Sequence, residues 1–281
     1  MKRCLVIAAC ALSAAAPLAA AAAPRAAASP HVRAELVAET TALVPGQRNW
    51  IGLRLIHEPH WHTYWINPGD SGLATKLTWH LPPGAEAAAI AWPAPQRFEV
   101  GRLFNFGYGG DVVLPIPLHL SADAKPGTQL RLSVDAQWLV CHQECIPGKA
   151  TLKLALPVAA RTAPNPRVRK LFATAHAAQP VASAWSGQAR LAGDHVEVTL
   201  SGENLPGPDG VDAFVVQRQV VGYAPAQFKR LDDDRVMLTF DKSEYLTAAP
   251  MSLDLVVTDG VAPAVHARSV TVPFAAVPSG P

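Results

Sequence analysis

The chain has 281 residues, of which 49% are hydrophobic, and 24 basic against 22 acidic residues give a formal net charge of +2. Residues 1–23 combine Lys2 and Arg3 with an apolar stretch and a run of alanines, the pattern of a secretory signal peptide. Cleavage near Ala23 removes two basic residues, so the mature chain has no net charge and nothing that indicates a nucleic-acid partner. No later apolar run is long enough to span a membrane, so a soluble protein outside the cytoplasm is expected.

Short runs of alternating apolar and polar residues follow, the period of a half-buried antiparallel strand. The clearest runs are residues 51–55, 130–138 and 150–156. Turn-forming pairs such as Pro45-Gly46, Pro126-Gly127 and Pro147-Gly148 separate the runs. Residues 31–160 are therefore predicted to form one β-sandwich domain.

The alternation stops over residues 161–180, which we interpret as a linker with a short helix. Val168, Leu171, Phe172 and Ala175 have helical spacing, and Pro180 ends the segment. Alternating runs return at residues 196–200 and 253–257, so residues 181–275 are predicted to form a second β-sandwich. The predicted fold class is all-β, with two sandwiches joined by the linker.

Cysteine use singles out one site. Cys4 and Cys10 lie in the predicted signal peptide, which leaves Cys141 and Cys145 in the segment QWLVCHQECIPG. A disulfide that closes so small a loop stabilises a fold by about 2 kcal/mol, against about 3 kcal/mol for a 15-residue loop. A reversible redox role is therefore favoured over a structural one, although a purely structural adaptor with a local disulfide stays an alternative.

Two charged neighbours of the cysteines are candidates for tuning their reactivity. A protonated His142 favours the thiolate form of a nearby cysteine, whereas Glu144 opposes it. Pro147-Gly148 turns the chain at a hairpin tip, where another protein's cysteine has access.

Copper handling by the same cysteines is the second alternative. Cys-x3-Cys with an intervening histidine suits copper or zinc, and His57, His60 and His62 could add ligands if the fold brings them close. The residues after Cys145 lack the histidine and methionine of binuclear copper sites, so no bound metal or other cofactor is expected. The GDSG at residues 69–72 is interpreted as a turn.

Three blocks together resemble the N-terminal periplasmic region of the DsbD/ScsB family of thiol:disulfide interchange proteins, the ScsB-type branch above all. They are WHTYWINPGDSGLATKLTW, FNFGYGGDVVLPIPL and WLVCHQECIPG, at residues 61–79, 104–118 and 138–148. The resemblance implies an immunoglobulin-like redox domain at residues 31–160 and a protein-disulfide reductase of the periplasm. Its redox pair is Cys141 and Cys145, joined as a disulfide in the oxidised state, with Cys145 the cysteine attacked in mixed disulfides.

The resemblance also implies a cap loop over the cysteines, matched here by Phe106, Gly107, Tyr108 and Gly109. The implied partners are a transmembrane electron donor with a thioredoxin-like domain and a periplasmic thioredoxin-fold disulfide isomerase or reductase. The family usually continues into a membrane segment, which this chain lacks before Pro281. Three expectations follow: a separate membrane protein supplies the electrons, the sequence is a fragment of a longer system, or the protein has drifted to another task.

Overall fold

The computed structural model describes residues 27–259 and 266–275. The predicted signal peptide lies outside these residues. The first part of the described chain contains eleven strands. They are β1 (Ala27–Ser29), β2 (Val32–Ala38), β3 (Arg48–His57), β4 (His62–Gly69), β5 (Lys76–His80), β6 (Ala85–Ala87), β7 (Gln96–Val100), β8 (Leu103–Gly109), β9 (Asp111–Leu120), β10 (Gln129–Cys141) and β11 (Cys145–Pro157).

One helix and eight further strands complete the described residues. They are α1 (Arg169–Ala177), β12 (Val181–Ala182), β13 (Ser186–Ala192), β14 (His195–Ser201), β15 (Asp212–Val215), β16 (Gln227–Asp232), β17 (Arg235–Asp241), β18 (Ser252–Asp259) and β19 (His266–Pro273). Across the described part of the chain, no helix has the length and apolar character needed to cross a bilayer.

Two sheets form the first sandwich. Sheet I has the strand order β1-β2-β3-β9-β6, and sheet II has the order β11-β10-β4-β8-β7, with β5 also paired to β10. Ile51, Leu53 and Leu55 are fully buried on the inner side of sheet I, as their alternation predicts. Val134 and Leu152 are buried on the inner side of sheet II. Both sheets contribute to one apolar core.

The second sandwich has the same layered construction. Sheet III has the order β12-β19-β18-β15, and sheet IV has the order β13-β14-β17-β16. Val196, Val198 and Leu200 of β14 are fully buried in its core. The all-β fold class, with two immunoglobulin-like sandwiches and a short helix between them, is therefore confirmed. The domain limits 31–160 and 181–275 stay predictions.

Helix α1 covers the outer side of sheet I. Phe172 is fully buried and Ala175 nearly so, in a small cluster with Val37, Val113 and Val168. Gly52 makes room for this contact, because a Cβ there would lie 3.1 Å from the Phe172 ring. The helix bounds differ from the predicted segment only at its ends, so the predicted helix is confirmed.

Strands β4 and β8 approach each other closely at Gly107. A Cβ added to Gly107 would overlap the carbonyl oxygen of Thr63, which belongs to the rigid backbone of β4. Gly107 pairs with Tyr64 in the ladder between the two strands. A side chain at position 107 would therefore force two central strands of sheet II apart.

We predict that Gly107→Ala lowers the free energy of unfolding of the first sandwich by about 1–3 kcal/mol, the usual cost of overpacking. Urea unfolding followed by tryptophan fluorescence measures the change, since six of the seven tryptophans precede residue 160. Gly207→Ala is the matched control, because a Cβ at Gly207 meets no atom within 4 Å. Equal unfolding midpoints for the two variants would contradict the prediction.

Candidate functional site

The two cysteines close the tip of a long hairpin. β10 and β11 pair antiparallel in one continuous register, from Gln129 opposite Pro157 to Cys141 opposite Cys145. Residues 142–144 form the turn between the strands. The Cα atoms of Cys141 and Cys145 are 4.2 Å apart, and a disulfide joins the two sulfurs. The register of the hairpin therefore brings the cysteines together at the end of its ladder.

The two cysteines differ sharply in exposure. Cys141 is 1% exposed, and His62 of β4 lies next to it as its partner across the sheet. Cys145 is exposed, because β11 is an edge strand of sheet II. Cys145 is therefore the solvent-exposed cysteine of the pair, whereas Cys141 is buried.

Residues that oppose each other in a sheet point to the same side of it. The side that carries Cys141 and Cys145 therefore also carries His62 and Tyr64 of β4, and we call it the cysteine face. Gly107 and Gly109 of β8 share this face, since they pair with Tyr64 and His62.

Tyr64 makes the direct contact with the disulfide. Its hydroxyl lies 3.5 Å from the Cys145 sulfur, and its side chain is fully buried. Burial raises the pKa of the Tyr64 phenol, and a hydrogen bond with Ser71 opposes the rise. The phenol therefore keeps its proton at neutral pH and can donate a hydrogen bond to sulfur.

The turn at residues 69–72 holds the Tyr64 ring in place. Gly72 has a positive φ of 99°, and a Cβ at this position would overlap the ring. The GDSG sequence therefore forms the predicted turn. It also packs against the residue that contacts the disulfide.

His62 and Phe98 form an aromatic wall beside Cys141. The two rings stack with centroids 4.4 Å apart and planes 8° apart. Burial, followed by the nearby His57 and His142, lowers the pKa of His62 to about 4. The imidazole is therefore neutral at neutral pH, and its Nε2 is buried with no hydrogen-bond partner among the described residues.

The predicted cap loop is wrong, because the register of β8 turns its aromatic rings away from the cysteines. Phe106 and Tyr108 alternate with the two glycines and so point to the opposite side of sheet II, where both are buried in the core. The Tyr108 hydroxyl donates to the Pro93 carbonyl over 2.7 Å. Gly107 and Gly109 do lie on the cysteine face, but within a strand.

Both predicted tuning residues lie in the turn at the hairpin tip and are exposed. The His142 amide donates to the Glu144 carbonyl over 3.1 Å. The His142 ring lies 5.8 Å from that of His60 and 5.9 Å from that of Trp61, measured between centroids. The loop before β4 therefore packs against the hairpin tip.

The three histidines of the HEPHWH segment have different roles. His57 is buried, with its ring nitrogens hydrogen-bonded to the Gly110 carbonyl at 2.8 Å and the Thr63 hydroxyl at 3.0 Å. His60, His62 and His142 line a cavity of about 570 Å³ beside the hairpin tip. Within residues 27–259 and 266–275, no group of three His, Cys, Asp or Glu side chains is arranged to hold a metal ion.

The sequence did not single out Tyr64 or Phe98 as site residues. Tyr64 follows His62 at the two-residue spacing of a strand, so the alternation could have placed both on one face. Phe98 comes from a separate strand, β7, and reaches His62 past Gly109. A Cβ at Gly109 would lie 3.5 Å from the Phe98 ring.

Comparison with known proteins gives a match to a family model and matches to solved structures. Residues 33–157 match the family model "Thiol:disulfide interchange protein DsbD, N-terminal". The crystal structure of the N-terminal periplasmic domain of ScsB from Proteus mirabilis is 22% identical, with a TM-score of 0.62. The match covers 88% of this chain and 97% of that chain, so the two proteins share a fold over both sandwiches.

Other comparisons add nothing to this result. A chimeric titin Z1Z2 structure covers 89% of this chain and 100% of its own at 14% identity, but with a TM-score of 0.20. No curated protein sequence is significantly similar to the chain. Residues 33–157, which carry the disulfide, therefore match the DsbD N-terminal family of thiol:disulfide interchange proteins.

Proposed function

We propose that this protein is a periplasmic protein-disulfide reductase that relays reducing equivalents through Cys141 and Cys145. A transmembrane donor with a thioredoxin-like domain supplies them, and a periplasmic thioredoxin-fold isomerase or reductase receives them. The observation that carries the proposal is the disulfide at an exposed hairpin tip, with Cys145 exposed and Cys141 buried behind it. An exposed cysteine next to a buried one suits ordered thiol–disulfide exchange.

Reduction of the protein begins when a donor thiolate attacks the Cys145 sulfur. The Cys141–Cys145 bond breaks, and the Cys141 sulfur leaves as a thiolate that takes up a proton. The donor's second thiolate then attacks the donor sulfur that is bonded to Cys145, and Cys145 is released as a thiolate. The donor ends as a disulfide, and this protein has gained two electrons as a dithiol.

In the second half-reaction, this protein is the electron donor and the partner is reduced. The Cys145 thiolate attacks the partner's disulfide and displaces one partner sulfur as a thiolate. Cys141, once deprotonated, attacks the Cys145 sulfur, restores the original disulfide and releases the partner as a dithiol. Tyr64 stabilises the Cys145 thiolate in both half-reactions, because its hydroxyl already lies 3.5 Å from that sulfur.

The relay predicts that Cys141→Ser traps a mixed disulfide, because the resolving thiol is missing while Cys145 still attacks. Cys145→Ser is expected to trap none, since Cys141 is buried. Acid-quenched periplasmic extracts on non-reducing gels, followed by mass spectrometry, show the adducts. The relay is wrong if Cys141→Ser traps no protein and the wild-type disulfide also resists strong reductant.

A structural adaptor makes the opposite prediction for the double variant. If the disulfide is only a local clasp, replacing both cysteines by serine leaves the surrounding redox pathway at its normal activity. The relay instead requires that the double variant abolishes electron transfer to the partner. The redox state of the partner's cysteines in cells separates the two.

Tyr64→Phe is predicted to slow alkylation of Cys145 at pH 7 by about tenfold, the value of one hydrogen bond to a charged group. The ring and its packing stay, so only the hydroxyl is lost. The rates are measured with iodoacetamide in a Cys141→Ser background, and the difference should vanish near pH 10, where a thiol is ionised without help. Tyr245→Phe is the control, since Tyr245 is exposed in the second sandwich. Equal rates for the two variants at pH 7 would remove Tyr64 from the mechanism.

Copper handling is the second candidate function, favoured by the convergence of histidines at the hairpin tip. His60 and His142 face each other, and His62 lies next to Cys141. This candidate predicts that the reduced protein binds one Cu(I) tightly and that Cys145→Ser loses the ion. Titration against a chromophoric Cu(I) chelator measures both, and retention of all copper by the chelator rules the candidate out.

A further inference from the structure

Arg97 of β7 joins the two sandwiches. Its side chain is only 9% exposed and forms an ion pair with Asp212 of β15, with an Nε–Oδ2 distance of 3.1 Å. It also donates to two backbone carbonyls of the second half of the chain, those of Ala213 and Tyr223. A guanidinium that satisfies a carboxylate and two carbonyls is held at several points at once.

Aromatic rings from both sandwiches enclose the same guanidinium. Its central carbon lies 4.7 Å from the centroid of Phe106 and 5.1 Å from that of Phe214. Phe106 and Phe214 also meet edge to face, with centroids 4.9 Å apart. The cation is therefore buried with favourable contacts on every side, which fixes β7 against the second sandwich.

The next residue along β7, Phe98, lies on the cysteine face. Arg97 and Phe98 point to opposite sides of the strand, because successive side chains alternate. Phe98 stacks on His62, and His62 is the sheet partner of Cys141. One strand thus links a contact with the second sandwich to the wall beside the buried cysteine.

The position of β7 makes this link important. β7 is an edge strand of sheet II and pairs only with β8 in that sheet. Edge strands with few neighbours open locally at lower cost than central strands. The contacts of Arg97 supply a restraint that the sheet itself does not provide on that side.

We propose that the second sandwich, acting through Arg97, holds the Phe98–His62 wall closed over Cys141 and so directs attack to Cys145. Arg97 is a positioning residue in this scheme, since it touches neither sulfur. The proposal rests on the proposed function for its consequence, because the choice of sulfur matters only if the pair exchanges. Its physical content, the protection of Cys141, is independent of any partner.

The test measures the protection of each cysteine separately. Iodoacetamide alkylation of Cys141 is followed in the full mature chain with Cys145→Ser, and alkylation of Cys145 in the chain with Cys141→Ser. Arg97→Met is introduced into both backgrounds. Removing the guanidinium leaves Asp212 without its partner and frees β7, so Cys141 is expected to react about tenfold faster while Cys145 keeps its rate.

Two further variants make the result specific. Asp212→Asn keeps the shape of the partner but removes its charge, so it should move the Cys141 rate in the same direction by a smaller factor. Arg190→Met is the matched control, because Arg190 pairs with Glu197 on the surface of the second sandwich, and it should leave both rates unchanged. Thermal unfolding of each variant identifies any loss of the whole fold, which would raise both cysteine rates together.

The outcomes separate this proposal from the relay. An unchanged Cys141 rate in folded Arg97→Met and Asp212→Asn overturns the proposal, even if Cys141→Ser still traps partners. A selective rise at Cys141 supports it, even if no partner is trapped and the relay fails. If Arg97→Met alone is unfolded, the Asp212→Asn rates decide.

Discussion

Everything at the candidate site depends on the unbroken pairing of β10 with β11. The ladder runs without a register shift from Gln129 and Pro157 to Cys141 and Cys145, so the two sulfurs meet at its end. The same register places one cysteine between two strands and the other on an edge. A slip of one residue would send a cysteine to the opposite face, where Trp138 and Val140 fill the core. Chemistry and packing therefore share a single constraint, which is the alternation of side chains along the hairpin.

Local patterns predicted the strands, the helix and the cysteine pair, because each depends on neighbours within a few positions. The buried faces of residues 51–55 and 196–200 follow from a period of two, and the cysteines are the only thiols left after the predicted signal peptide. The prediction of the cap loop failed for a different reason. The direction in which Phe106 and Tyr108 point depends on the pairing of β8 with β4, a contact about 45 residues apart in sequence that no local pattern records. Phe98 was missed for the same reason.

The two sandwiches differ in how much of each is matched by known proteins. The family model ends at residue 157, whereas the fold of the ScsB domain extends across both sandwiches at 22% identity. The role of the second sandwich is therefore best judged from its contacts with the first sandwich. Asn67 of β4 donates to the Val215 carbonyl over 2.7 Å, and Phe214 lies in the core of the first sandwich. The second sandwich therefore packs against β4, the strand that carries Tyr64 and His62.

The hairpin also bears on how much the molecule would have to move under the proposed relay. Strand pairing continues up to the two cysteines, whose Cα atoms are 4.2 Å apart, so the proposed relay predicts a backbone of the same shape whether the sulfurs are joined or free. The oxidised and reduced forms then present nearly the same surface to other proteins. A partner that distinguishes the two forms must then respond to the bonding and protonation of the sulfurs and to the Tyr64 hydroxyl, and not to a change of fold. Under the proposed relay, recognition and release would depend on the chemistry of one sulfur, Sγ of Cys145.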